Sequence, residues 1–263
     1  MKSINKKVIG VFRNGLVPVK PLLVHLFEME ARISRYWASA AHKRLFLAEW
    51  GIPKNPEFFD HYIDLFYSWQ KLRESHWLER GVFSLLALKR EGAVLEISCG
   101  DGFNARNFYS GLAKSVIACD FNKKAIATSK RKNKAPNIDF VLADIRYAMP
   151  KGDFDNIIWD HAIEHFTSEE IEVLMKNIKE RLKKNNGILS GSTIMERPEG
   201  KSLPQHEYEF KNMADLKRFL TPHFKNVIVF ETIYPLRHNL YFWASDAVLP
   251  FSNNWGHWIK IDE

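Results

Sequence analysis

Cysteine is scarce in this chain: Cys99 and Cys119 are the only two in 263 residues. No CxxC pair occurs, which argues against a zinc ribbon or a disulfide framework and favours a reducing compartment. Buried free thiols are the expected state of both. No uninterrupted apolar run approaches the roughly 18 residues needed to span a bilayer. The opening MKSINKKVIGVFRNGLVPVK is basic and then apolar, as signal peptides are. Arg13 and Asn14 interrupt it and no small-residue cleavage site follows, so export is not expected. Arginine-rich runs and RNA-binding signatures are also absent, and no nucleic-acid partner is expected. Acids are missing before Glu28, where Lys2, Lys6, Lys7, Arg13 and Lys20 lie among apolar residues.

With 46% apolar and 26% charged residues the composition is that of an ordinary globular protein. The net charge of +7 is concentrated at the front: residues 1–50 hold nine Lys/Arg against three Glu, and the rest is nearly balanced. A soluble cytoplasmic protein is expected, with a basic leading segment rather than a basic catalytic surface. Residues 1–27 suit a peripheral contact with the inner membrane face or with a lipid-linked acceptor. A solvated arm or a dimer contact is the plainer alternative. The oligomeric state is left open.

From Pro21 to Trp50 apolar and aromatic residues recur at helical spacing until Gly51 and Pro53. A second helical region, rich in aromatics, is expected from about Pro56 to Lys89, with a break near Gly81. Residues 1–91 thus form a helical cap. After Gly92 the rhythm changes to short apolar runs: VLEIS (94–98), SVIACD (115–120), IDFVLAD (138–144), FDNIIWD (154–160) and GILSGST (187–193). Amphipathic stretches lie between them near 103–112, 123–132 and 168–183, the last closed by Asn186-Gly187. Strand and helix in alternation imply an α/β, doubly wound, Rossmann-like sheet over residues 92–263. A helix near 212–220 and two strands, NVIVFETI (226–233) and NLYFWASD (239–246), follow. Their connection is too short for a helical crossover, so these last two of seven strands should run antiparallel.

The loop SCGDGFNA (98–105) follows the first strand and opens a helix, so its glycines can bring backbone close to a ligand. Read from Gly100 it is also the dinucleotide pattern G-x-G-x-x-A. The second strand ends in Asp120, an acid placed to accept both ribose hydroxyls of NAD or another adenosine ligand. Asp144 ends the third strand, where it can accept an adenine amino group. Asp160 and His161 end the fourth, beside the point where strand order should reverse.

Taken in order, VLEISCGDGFNARNF, VIACDFN, FVLADI, FDNIIWDHAIEHF and GILSGST resemble the successive motifs of class I S-adenosylmethionine-dependent methyltransferases. The nearest likeness is the small-molecule branch of ubiquinone-biosynthesis, sugar and natural-product enzymes, over about residues 92–245. The resemblance implies a methyltransferase acting on an oxygen, nitrogen or carbon of a small-molecule or glycan-like acceptor. It implies Glu96, Ser98, Gly100 and Gly102 around the methionine part of S-adenosyl-L-methionine, Asp120 on the ribose, and Phe121 beside the adenine. Asp144 and the Ile145 amide face the adenine, with Asp160 and His161 also at the cofactor. The family usually has glycine where Ser98 stands. An NAD(P)-dependent oxidoreductase and a non-catalytic binding protein of the same fold are the competing readings. The first leaves Asp144 and the antiparallel tail unexplained; the second does not account for retention of Glu96, Asp120 and Asp144.

DHAIEHF (160–166) is a literal match to the zinc pattern H-x-x-E-H. A zinc site needs both histidines on one helix face with a third ligand, yet a strand ends at Asp160 and the helix signal TSEE begins only at Thr167. No metal is expected. In the resembled family this segment closes over the reacting groups, which points to His165 as a base assisted by Glu164. QHEYEF (205–210), between the fifth strand and the next helix, offers His206 as a second base or substrate contact. Tyr208, Arg237, His238 and Trp243 are further candidates for the same pocket.

Overall fold

The computed structural model describes residues 20–50, 69, 73, 75–235 and 237–249. The chain divides into two compact units. In the first, α1 (Lys20–Trp50) is one continuous helix of 31 residues. Pro21 sits in its first turn, where a missing N–H is tolerated. Leu22, Leu26, Met29, Ile33 and Tyr36 recur along it at spacings of four and three, and all are exposed. Residues 1–19 lie outside the described residues, and with them most of the expected membrane segment.

The second unit holds α2 (His76–Leu86) and the sheet. The expected break at Gly81 does not occur, and α2 runs through it. A Cβ at Gly81 would stand 2.4 Å from the Phe108 ring, so this glycine serves close packing rather than termination. Residues 56–68 of the expected second helical region lie outside the described residues.

The seven strands are β1 (Ala93–Ile97), β2 (Ser115–Asp120), β3 (Ile138–Leu142), β4 (Asn156–Asp160), β5 (Ile188–Ile194), β6 (Asn226–Tyr234) and β7 (Arg237–Ser245). Their order is β3-β2-β1-β4-β5-β7-β6. The first five are parallel, with Glu96 opposite Ala118 on one side and Ile158 on the other. β7 is antiparallel to both β5 and β6, as the short connection required. Strand order reverses between β1 and β4, which opens a crevice at their carboxyl ends.

Alternation along the strands supplies both faces of the sheet. Leu95, Ile97, Ile157 and Trp159 pack with Leu174, Met175 and Ile178 of α5 (Ser168–Arg181) and Leu216 and Phe219 of α6 (Met213–Leu220). Val94 and Ile158 point the other way, onto Ala105, Tyr109 and Ile126, the last from α3 (Lys123–Lys132). Burial on both faces explains why these strands read as continuous apolar runs. Thr167 and Glu170 form a reciprocal capping box that starts α5.

Several ends differ from the sequence expectation. β1 stops at Ile97 because Ser98 turns to φ 58°, and β3 stops before Asp144, which caps the four-residue helix α4 (Ile145–Ala148). The helix after the glycine loop winds as a π-helix over Ala105–Tyr109, with the Ser110 amide on the Ala105 carbonyl. α5 ends at Arg181 rather than at Asn186-Gly187. There Lys183 N–H bonds to the Phe154 carbonyl at 2.8 Å and Phe154 N–H to that of Arg181, drawing the chain off the helix. Among the described residues no helix is long and apolar enough to cross a membrane.

Candidate active site

The loop after β1 has three residues with positive φ in five: Ser98 at 58°, Gly100 at 56° and Gly102 at 76°. Ser98 therefore holds the left-handed conformation that glycine adopts most readily, at a cost of roughly 1–2 kcal/mol for an L-residue. Gly102 admits no replacement without movement, since a Cβ would lie 2.3 Å from the Phe140 ring and 2.9 Å from Ser129 Cβ. The turn carries the Gly100 amide to Asp120 Oδ2 at 2.9 Å, while Asn122 N–H bonds to Oδ1 at 2.8 Å. Each carboxylate oxygen keeps a further lone pair for another donor. Burial raises the Asp120 pKa, opposed by these two amides and by nearby His165.

Glu96, on β1, is buried with Oε2 lacking a hydrogen-bond partner. Burial, reinforced by Asp160, pushes its pKa well above the usual carboxylate range. A buried acceptor without a donor is costly in a closed protein and is the state expected of a ligand-facing group. Phe121 is 60% exposed at the end of β2, as a side chain that would lie along a base must be, and Ile145 is buried. Asp144 caps α4 and is gripped by Arg146, whose Nη2 lies 2.7 Å from Oδ2. That hydrogen bond holds the Asp144 pKa down.

Asp160 is already engaged. Tyr109 donates to Oδ2 at 2.7 Å, and Ser84 and Ser192 each donate to Oδ1 at 3.0 Å. Burial pushes its pKa up to about 6. Its carboxylate thus joins β4 to α2, β5 and the π-helical turn. His161, at φ 47°, pairs Nδ1 with Ser192 Oγ at 2.6 Å. Burial, followed by the charges of Arg237 and Arg80, lowers its pKa far below the ordinary histidine value.

The acceptor-side candidates converge. A 3₁₀ turn, Ile163–His165, follows β4. The Glu164 carbonyl accepts the amides of Glu207 and Tyr208 at 2.8 and 3.1 Å, which pins the QHEYEF loop against it. The His165 and His206 rings meet edge to face, 4.9 Å between centroids. One ligand atom from each of Glu164, His165 and His206 lies within 4.8 Å of the other two. Folding brings His206 to this turn, while His161 points to Ser192 instead. Glu209 was missed altogether, although the H-x-x-E of HEYE carried the signal: its carboxylate receives His206 Nδ1 and both the amide and the hydroxyl of Ser202.

Four weaker candidates have partners of their own, and Arg237 also lies close enough to His161 to lower its pKa. Tyr208 bonds Asp215 and packs with Phe210 and Phe219, and Trp243 is buried with its indole N–H on the Phe83 carbonyl. His238 pairs with Glu231, and Arg237 Nε donates to Asn239.

Residues 94–185 match the family described as a methyltransferase domain. No curated protein matches the chain. Among solved structures, the N-methyltransferase NodS of Bradyrhizobium japonicum superposes with a TM-score of 0.55 at 17% identity, over 65% of this chain and 97% of its own. TehB of Haemophilus influenzae gives 0.50 at 22% identity, over 68% of this chain and 65% of its own. Residues 94–185 thus resemble a methyltransferase domain, and the fold is the Rossmann-like fold of the solved N-methyltransferase. Two residues have the chemistry to hold S-adenosylmethionine: Glu96 has an unpartnered oxygen and Asp120 has lone pairs to spare.

Proposed function

We propose that this protein methylates an oxygen, nitrogen or carbon of a small-molecule or glycan-like acceptor. The observation that supports the reading best is Asp120, fixed by the Gly100 and Asn122 amides with acceptor capacity left for two ribose hydroxyls. Glu96, Ser98, Gly100 and Gly102 would hold the methionine end, with Phe121, Asp144 and Ile145 at the adenine. Asp160 and His161 would support the floor between them. S-Adenosylmethionine supplies, when bound, a methyl group on a positively charged sulfur that leaves as a neutral thioether. The chain's task is therefore to align an acceptor atom at about 3–3.5 Å and to exclude water.

Glu164, His165 and His206 would form the acceptor side. His206 Nδ1 is engaged by the Glu209 carboxyl group, which leaves Nε2 as the ring nitrogen turned from it. That nitrogen would take the proton of a hydroxyl or amine acceptor. Incubating the protein with methyl-labelled cofactor and fractionated metabolite and glycan extracts tests the reading. Label in a discrete product, lost in Asp120→Ala, is expected; no labelled product from any fraction counts against it.

A peripheral membrane contact through residues 1–27 is a second proposal, supported by the basic, acid-free sequence and by exposed Leu22, Leu26 and Phe27. Co-sedimentation with anionic vesicles should be strong for the full chain and weak for one lacking residues 1–20. Equal binding removes the idea.

A further inference from the structure

We propose that the outer face of α3, with the loops beside it, docks on an anionic lipid surface through the headgroup phosphates. It does not depend on the contact proposed for residues 1–27, because it places a separate membrane-facing surface on the folded sheet domain.

The near-balance of charge after residue 50 hides two poles. Residues 102–137 hold eight Lys/Arg against one acid, a net +7 that equals the charge of the whole chain, whereas residues 138–263 hold 15 Lys/Arg against 19 acids. The one acid, Asp120, is 3% exposed and engaged by the Gly100 and Asn122 amides. All eight cations are exposed, and Asp101 and Asp139 border the segment in sequence.

Folding gathers these charges. Ala105 and Tyr109 of the π-helical turn pack with Ile126 of α3 on one face of the sheet. Asn137 Nδ2 donates to the Ser110 and Ala113 carbonyls at 2.9 and 3.0 Å, which draws the segments of Lys114 and Lys134 together. α3 buries Ala125, Ile126, Thr128 and Ser129, so Lys123, Ala127 and Lys130 line its outer side at i, i+4 and i+7. Lys134 follows four residues on. Lys123 and Lys124 stand in the first turn of α3, and no acid accompanies them. The positive end of the helix dipole disfavours cations there. An anionic surface laid against the helix offsets that cost and the mutual repulsion of the lysines.

Two features favour lipid headgroups over nucleic acid. Residues 122–137 contain no aromatic side chain on which a base could stack. Six of the eight cations are lysines, point charges on flexible stems that suit a mobile layer of headgroups; arginine, whose planar fork reads a fixed phosphate, supplies two. The chain also holds the basic, apolar residues 1–27, and stable attachment of a peripheral protein takes two signals.

The test is co-sedimentation of the full-length protein with phosphatidylcholine vesicles containing about a third phosphatidylserine, at about 100 mM KCl. Lys123→Glu/Lys130→Glu/Lys134→Glu should lower the partition coefficient about 10-fold or more. Lys211→Glu/Lys217→Glu/Lys225→Glu, an equal charge change on exposed lysines around α6, should lower it about 2-fold or less. The first variant gains an acid in the first turn of α3, so its urea midpoint should be no lower than that of the wild type, and a loss of binding is then not a loss of fold. No vesicle binding by the wild type, equal losses in the two variants, or binding unchanged in the first overturns the proposal. Retention on an RNA duplex of about 20 base pairs at the same salt, without vesicle binding, also overturns it. If Lys2→Glu/Lys6→Glu/Lys7→Glu abolishes vesicle binding and the α3 variant does not reduce it, the contact of residues 1–27 stands and this one falls. The opposite pattern keeps the α3 surface and removes the other.

Discussion

The carboxylate of Asp120 accepts the amide of Gly100 at 2.9 Å, which ties the end of one strand to the loop that follows its neighbour. A single acid thereby shapes the loop and keeps lone pairs that the Gly100 and Asn122 amides do not use.

Asp120→Ala should weaken S-adenosylhomocysteine binding by 10-fold or more, since hydrogen bonds to a charged acceptor contribute about 1.5–3 kcal/mol each. Asp120→Asn keeps a carbonyl oxygen for one amide and should retain the native circular dichroism spectrum while still binding weakly. Calorimetry on both variants separates loss of the ribose contact from loss of the loop.

At Gly102 two costs coincide. Its φ of 76° is strained for any L side chain, and an added methyl would meet Phe140 at 2.3 Å. Strain and overpacking are each worth about 1–3 kcal/mol. Gly102→Ala should therefore unfold at clearly lower urea. Gly111→Ala, where a Cβ meets nothing within 4 Å, should change stability by less than about 0.5 kcal/mol.

Asp160 makes stability depend on pH with a definite sign. Burial lifts its pKa in the folded chain to about 6 from an ordinary value of 3.8. The stabilisation it contributes is full below the ordinary value and is lost as pH rises through about 6. Asp160→Asn binds no proton, so between pH 4 and 6 its stability slope should differ from wild type by up to one proton, about 1.4 kcal/mol per pH unit. Urea denaturation at pH 4, 5, 6 and 7 measures the difference. Parallel slopes would show that the carboxyl titrates near its ordinary value.

What the sequence disclosed follows from how local each signal is. SVIACD and the helix KKAIATSKRK were legible to the residue, because a buried strand is a continuous apolar run and Asn122 is a strong cap whose side chain accepts two helix amides. Gly81 misled, since the same residue serves as a helix breaker and as the gap into which Phe108 packs. Local pattern could not reveal that Ser84, Tyr109 and Ser192 meet on Asp160, nor that His206 returns to Glu164, because only tertiary folding brings those segments together. Tyr208 and Trp243 looked available for a pocket only because aromatic residues serve cores and binding sites alike. The glycine loop, Asp120 and Asp144 were easier to place than His206 because each follows or ends a strand.

Calorimetric titration of the full-length protein with S-adenosylmethionine, S-adenosylhomocysteine and NAD tests the central claim most directly. The account predicts one site per chain for the two sulfur nucleosides and no heat above dilution for NAD. Preferential binding of NAD would contradict it.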